Sequence, residues 1–190
     1  MTAVSSQQSR YHPTIIALHW GVLLLMIGVY ASMELREFWP RGSTLREGLK
    51  LVHYSLGLTV FALVIARIVI RLRTTTPAVT PPLSPLLKLG ATGAHLALYA
   101  FMIAMPLLGW ATLSAEGKSI IFFGIPIFPI APVSETLTEF FEETHELIGD
   151  IGYFLIGAHA AAALYHHYIR RDNTLVRMAP FLDRGPKAPL

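Results

Sequence analysis

The sequence predicts an all-α integral membrane four-helix bundle with both termini cytoplasmic. Three observations predict it: an apolar composition, four separated apolar stretches and a lopsided distribution of loop charge. Of the 190 residues, 53% are hydrophobic and 14% charged, and the mean hydropathy is +0.52. A soluble domain carries about a quarter charged residues, so this balance points to lipid. The net charge of +3 gives no sign of a nucleic-acid partner.

A helix needs about 20 residues to cross a hydrocarbon core of roughly 30 Å. The first stretch long enough spans 15–33; its length, His19 and Trp20 inside it, and the want of a small-x-small site after it set it apart from a cleavable leader. The second spans 51–70. The third spans 86–113 and contains Pro106, an expected kink. The fourth spans 147–169, with Ser134 and Glu135 reading as a helix start well before it. No repeat, linker or second domain is visible, so residues 1–190 read as a single transmembrane domain.

Arg71 and Arg73 lie between the second and third stretches, and Lys88 lies at the start of the third. Arg170, Arg171, Arg177, Arg184 and Lys187, against Asp172 and Asp183, follow the fourth. The segment between the third and fourth holds Lys118 against Glu116, Glu135, Glu139, Glu142 and Glu143. The positive-inside rule then places both termini in the cytoplasm and the acidic segment outside. Within that segment, Ser119 to Val133 is almost wholly apolar and broken by Pro126, Pro129 and Pro132, which predicts an interfacial flap rather than a fifth span.

There is no cysteine and there are eight histidines. Without cysteine, disulfides, iron–sulfur clusters, thiolate-ligated haem and covalent haem attachment are excluded. An imidazole inside hydrocarbon is a functional hypothesis by default. His145 and His159 are separated by fourteen residues, close to four turns, so they share a face about 21 Å apart along the helix. By depth, His19 pairs with His159 on the inner side and His53 with His145 on the outer side. Two b-type haems, each between a histidine pair, satisfy that ruler, and bis-imidazole ligation suits electron transfer better than oxygen binding.

Arg67 follows His53 by fourteen residues and falls at the inner depth, where a haem propionate would balance its charge. His166 follows His159 by seven residues, within reach of a propionate or a quinone. His95 enters from the same side and competes as the inner ligand; otherwise it packs or lines a quinone pocket. His12, before Pro13, reads as a surface residue. Arg71 and His167 read either as quinone contacts or as positive-inside anchors. Glu142 and His145 form one Glu-x-x-His step, but a di-iron bundle needs a second, and zinc would want cysteine or clustered histidine.

The chain resembles the bacterial cytochrome b561 family over essentially its whole length. The resemblance rests on Ala17-Leu18-His19-Trp20, Phe38-Trp39-Pro40-Arg41, His53 with Ser55 and Gly57, and Arg67 with Arg71. It continues through Thr144-His145-Glu146-Leu147, the run from Gly152 to Leu164, His166-His167-Tyr168 and Asp172-Asn173-Thr174-Leu175. Thr144 stands where the family carries Trp. The resemblance implies haem ligands at His19, His53, His145 and His159. It also implies one-electron oxidation of superoxide outside, with ubiquinone as acceptor in a bacterial inner membrane and no obligate protein partner. Arg41, Arg46 and Lys50, ahead of His53, would steer the anion, unless Glu34, Glu37 and Glu47 make that loop merely mixed. Two rival functions stay open: a cytochrome b anchor linking a partner dehydrogenase or hydrogenase to quinone, and a non-enzymatic haem-handling membrane protein.

Overall fold

Four long helices dominate the computed structural model, which describes residues 10–183. They are α1 (Pro13–Arg36), α2 (Thr44–Arg73), α3 (Pro85–Ala115) and α4 (Glu135–Tyr165). All four are long and apolar enough to cross a membrane. Arg184 and Lys187, counted in the basic tail, lie outside the described residues.

Local chemistry sets the helix starts. The Ser43, Ser84 and Ser134 hydroxyls accept from the amides of Arg46, Leu87 and Leu137, and Pro85 follows its cap at the first helical position. His12 caps α1, its Nδ1 accepting from the Thr14 amide at 3.3 Å, with Pro13 next. The surface histidine is therefore a helix cap. Pro106 stays inside α3.

In the bundle α1 packs on α2, α3 on α4, and α2 more lightly on α3, while the α1 and α4 backbones stay apart. The core is built from Val22, Val60, Val64, Phe101 and Met102. Most large apolar side chains elsewhere face outward, Phe154, Leu72 and Leu24 among them, as a bundle solvated by lipid requires.

The apolar segment after α3 folds as a β-hairpin, β1 (Ile120–Phe122) against β2 (Ile125–Ile127), antiparallel with Ile120 opposite Ile127. Its two turn residues, Phe123 and Gly124, have φ of 47° and 86°, the left-handed pair that a tight hairpin needs. The hairpin lies on the bundle end: Ile120 is buried and the Phe123 amide donates to the Ser55 hydroxyl at 3.4 Å. A short apolar segment away from a sheet gives no strand signal of its own, so the flap's β form was not expected.

At the opposite end the chain returns onto itself. After α4 come a single π-helical turn (His166–Arg170) and a 3-10 turn (Pro180–Leu182). The Trp20 indole donates to Met178 O at 3.0 Å and the Tyr11 amide to Arg177 O at 3.1 Å. The Thr80 amide donates to the Asn173 side chain at 2.8 Å. The tail thus closes over the end where α1 begins and α2 gives way to α3.

Candidate functional site

The histidines expected to pair do meet. The His53 and His145 rings, from α2 and α4, have centroids 6.1 Å apart with planes crossed at 72°. The His19 and His159 rings, from α1 and α4, have centroids 6.2 Å apart and planes crossed at 67°. Both pairs bridge helices that are not adjacent in the chain.

Metal–imidazole bonds are about 2 Å long, and a ring centre lies roughly 1 Å behind its coordinating nitrogen, so two imidazoles on one metal ion have centroids about 6 Å apart. Both pairs match that spacing. Among the described residues no three His, Cys, Asp or Glu side chains converge to hold a bare ion. The donor sets are thus pairs with space beside them, which suits a metal that brings its own equatorial ligands.

Space of that order is present beside the outer pair. The His53–His145 pair lines a cavity of about 380 Å³ reached by all four helices. Gly57, one turn beyond His53, would point a Cβ into open space, and so would Gly21 and Gly157 near His19 and His159. Gly109 lets the His145 ring lie against α3, where an added Cβ would come within 3.3 Å of it. The His19–His159 pair lines a second cavity, about 80 Å³, with Arg67, His95, Leu98 and Tyr99.

His53 Nδ1 lies 3.1 Å from Val29 O and His95 Nδ1 2.6 Å from Ala91 O. A carbonyl there accepts a hydrogen bond from Nδ1–H, which keeps the proton on Nδ1 and leaves Nε2 as the electron-pair donor, the usual support for a ligating histidine. The His95 ring stands 5.5 Å from that of His159, shorter than the two-sided spacing. Arg67 is 9% exposed, its Nε has no hydrogen-bond partner, and its guanidinium lies 5.7 Å from the Tyr99 ring centre.

The other expected residues are placed differently. His166 Nδ1 sits 2.5 Å from the Asp172 carboxylate, which also receives Arg170 Nε at 3.3 Å and the Thr174 amide at 2.9 Å. Burial opposes the charge on Asp172, but the hydrogen bonds from His166 and Thr174 outweigh it and hold its pKa below the usual carboxylate range. Arg71 lies over the Tyr11 ring at 5.7 Å. Arg46 ties the α1–α2 connection together, Nη1 donating to Arg36 O and Trp39 O and Nη2 to Glu37, each at 3.0 Å. Lys50 pairs with Glu47 at 2.9 Å, and Arg41 is exposed.

Several lining residues read in the sequence only as loop charges or gave no signal. Arg36, Lys118, Glu34, Glu116, Glu142, Glu146 and Asp150 join Lys50 around the larger cavity. Lys118 hydrogen-bonds Glu116 at 2.9 Å, which raises the lysine pKa. Tyr30 and Tyr153 also line this cavity, ring centres 4.3 Å apart, and the Tyr153 hydroxyl donates to Glu34 at 2.6 Å.

Fold and site together define a membrane helical bundle whose histidines are set in facing pairs between helices. The chain belongs to the prokaryotic cytochrome b561 family, whose model matches residues 10–181, and it is a membrane haem protein of b type. It is 40% identical over 172 residues to cytochrome b561 homolog 1 of Escherichia coli (strain K12), covering 90% of this chain and 98% of that protein. It is 39% identical over 171 residues to the protein named "Probable superoxide oxidase CybB" of Yersinia pestis, covering 90% and 96%. Identity to cytochrome b561 homolog 2 of E. coli (strain K12) is 28% over 176 residues, covering 89% and 90%.

Proposed function

We propose that the chain is a di-haem b-type cytochrome that oxidises superoxide at the outer face of a bacterial inner membrane and passes the electrons to ubiquinone. The observation that carries the reading is the two imidazole pairs, one at each level of α4. His53 and His145 hold the outer haem; His19 and His159 hold the inner one. His19 is favoured over His95 because its 6.2 Å spacing fits two-sided ligation and the 5.5 Å of His95 is short.

Each haem supplies one-electron iron chemistry when bound. Superoxide needs only to lose an electron to become dioxygen, so no acid or base is required at the outer mouth. The chain's part there is electrostatic: Arg36, Lys50 and Lys118 attract a small anion, each tempered by a paired carboxylate, Glu37, Glu47 and Glu116 respectively. Met26, Val29 and Met105 give the imidazole pair apolar neighbours in the cavity wall. Quinone takes two electrons and two protons, and His95 and Tyr99, lining the inner cavity, are the groups proposed to meet it. The basic residues at the tail end, Arg71, Arg73, Lys88, Arg170 and Arg171, support the reading of that end as the cytoplasmic one. The name borne by the Yersinia pestis relative supports superoxide as donor.

The test is a visible spectrum of the purified protein during superoxide generation by xanthine and xanthine oxidase. Fast reduction of haem that superoxide dismutase suppresses is the expected result. Haem that ignores superoxide but is reduced by a copurifying dehydrogenase would move the function to a partner-fed anchor.

A further inference from the structure

Three guanidiniums gather at the tail end of the bundle with no carboxylate paired to them among the described residues. Arg67 and Arg71 are one turn apart on α2, and Arg177 comes from the tail. Arg71 and Arg177 flank the same ring, Tyr11, at 5.7 and 5.4 Å. Arg67 and Arg71 are within electrostatic reach of each other, and all three act on His95. Two of them are more than nine-tenths buried, Arg67 at 9% and Arg177 at 6% exposed.

Their hydrogen bonding is incomplete. Arg177 Nη1 donates to Pro77 O, but Arg177 Nε and Arg67 Nε are both buried without a partner. Among the described residues none of the three pairs with a carboxylate; the buried Asp172 is taken by His166, Arg170 and Thr174. Buried guanidiniums cannot shed their charge, and leaving them uncompensated is strongly unfavourable. Aromatic faces at Tyr11 and Tyr99 offset a part of that cost; an oxyanion would offset the rest and satisfy the two free Nε donors.

We propose that Arg67, Arg71 and Arg177 form one oxyanion site, with Arg177 as the member that the tail brings to the bundle. Its ligand class is a carboxylate or phosphate, and the carboxylate at hand is a propionate of the inner haem, so this assignment rests on the paired-histidine reading. A phospholipid headgroup phosphate has the same chemistry. In either case the tail is the third wall of the site, and its closure over the bundle end depends on what the site holds.

The experiment uses full-length protein in detergent, with Arg177→Gln and Arg177→Lys. Each form is stripped of haem and reloaded with haem b or with its dimethyl ester, whose propionates carry no charge. Haem loss to excess apomyoglobin is followed, and lipid phosphorus per chain is measured on the purified material. Arg177→Gln should release haem b about tenfold faster, the worth of one charge-assisted hydrogen bond. Arg177→Lys should fall between it and the parent, and the dimethyl ester should leave parent and variant alike. Unchanged haem loss with less bound phosphorus in Arg177→Gln supports the same site with a lipid phosphate in it. Equal acceleration for both haem forms with unchanged phosphorus makes Arg177 a structural clamp and overturns the proposal, as does no change in either measurement. A parent chain that holds no haem at the His19–His159 level defeats the underlying reading, and the phosphorus result then decides the oxyanion site alone.

Discussion

The Tyr30 hydroxyl donates a 2.9 Å hydrogen bond to the Gly149 carbonyl, tying α1 to α4 along a seam where their backbones do not otherwise meet. The Tyr30 ring then lies 4.3 Å from that of Tyr153, centre to centre, and the Tyr153 hydroxyl returns to Glu34 on α1. Gly152 makes room for this arrangement: a Cβ there would overlap both the Tyr30 hydroxyl and the Phe101 ring. The separated pair of helices is held at two levels, here by tyrosines and lower down by His19 facing His159.

Gly152→Ala should therefore destabilise the bundle, since neither the ring of Phe101 nor the hydrogen-bonded Tyr30 can yield cheaply. Overpacking of this kind costs about 1–3 kcal/mol. A thermal ramp in detergent, followed by tryptophan fluorescence, should show a lower Tm for Gly152→Ala. Gly157→Ala, which meets nothing within 4 Å, is the matching control and should leave the haem-free protein's Tm nearly unchanged.

Asp172 organises the end of α4. Its folded pKa is depressed by the hydrogen bonds from His166 and Thr174 against the opposing effect of burial. The unfolded pKa is about 3.9, so the stabilisation is complete above that pH and is lost as pH falls through the lower folded value. Acid titration of Tm should show that loss below about pH 4, and Asp172→Asn should flatten it. At neutral pH the same variant should unfold more readily by about 1–3 kcal/mol, the cost of breaking a buried charged hydrogen-bond group.

The mouth of the larger cavity mixes signs, and Lys118 is tied to Glu116. Reversing Lys118 to Glu should slow haem reduction by superoxide several-fold, up to about tenfold at low salt, and Glu116→Gln should speed it. Both effects should shrink as ionic strength rises. Stopped-flow rates at two salt concentrations test this. Arg46→Ala should instead lower stability, because that side chain holds Arg36 O, Trp39 O and Glu37 together.

The helices and the histidine levels were legible in the sequence for one reason: both depend only on local periodicity. A run of about 20 apolar residues announces a span, and rise per residue converts the step from His145 to His159 into depth. Side-chain partners that come from distant parts of the chain announce nothing. Arg177 read as one more inside charge, because no local pattern shows that the tail folds back over Tyr11. His166 read as a quinone or propionate contact from its spacing to His159, and no local pattern shows that Asp172, six residues on, bonds its Nδ1. Arg46 read as a steering charge because spacing along one helix cannot show that the α1 end occupies it. The pairing of Lys50 with Glu47, three residues apart on α2, is the mixed-charge alternative that helical spacing already offered.

The central claim is that two haems sit between two specific imidazole pairs, and haem stoichiometry in single-histidine variants tests it most directly. Pyridine haemochrome assay of the purified parent should give two non-covalent b haems per chain. His53→Leu and His145→Leu should each remove the outer haem and leave one. His19→Leu should remove the inner haem, and His95→Leu should keep both. A single haem in the parent protein, or two haems that survive loss of His145, would contradict the account.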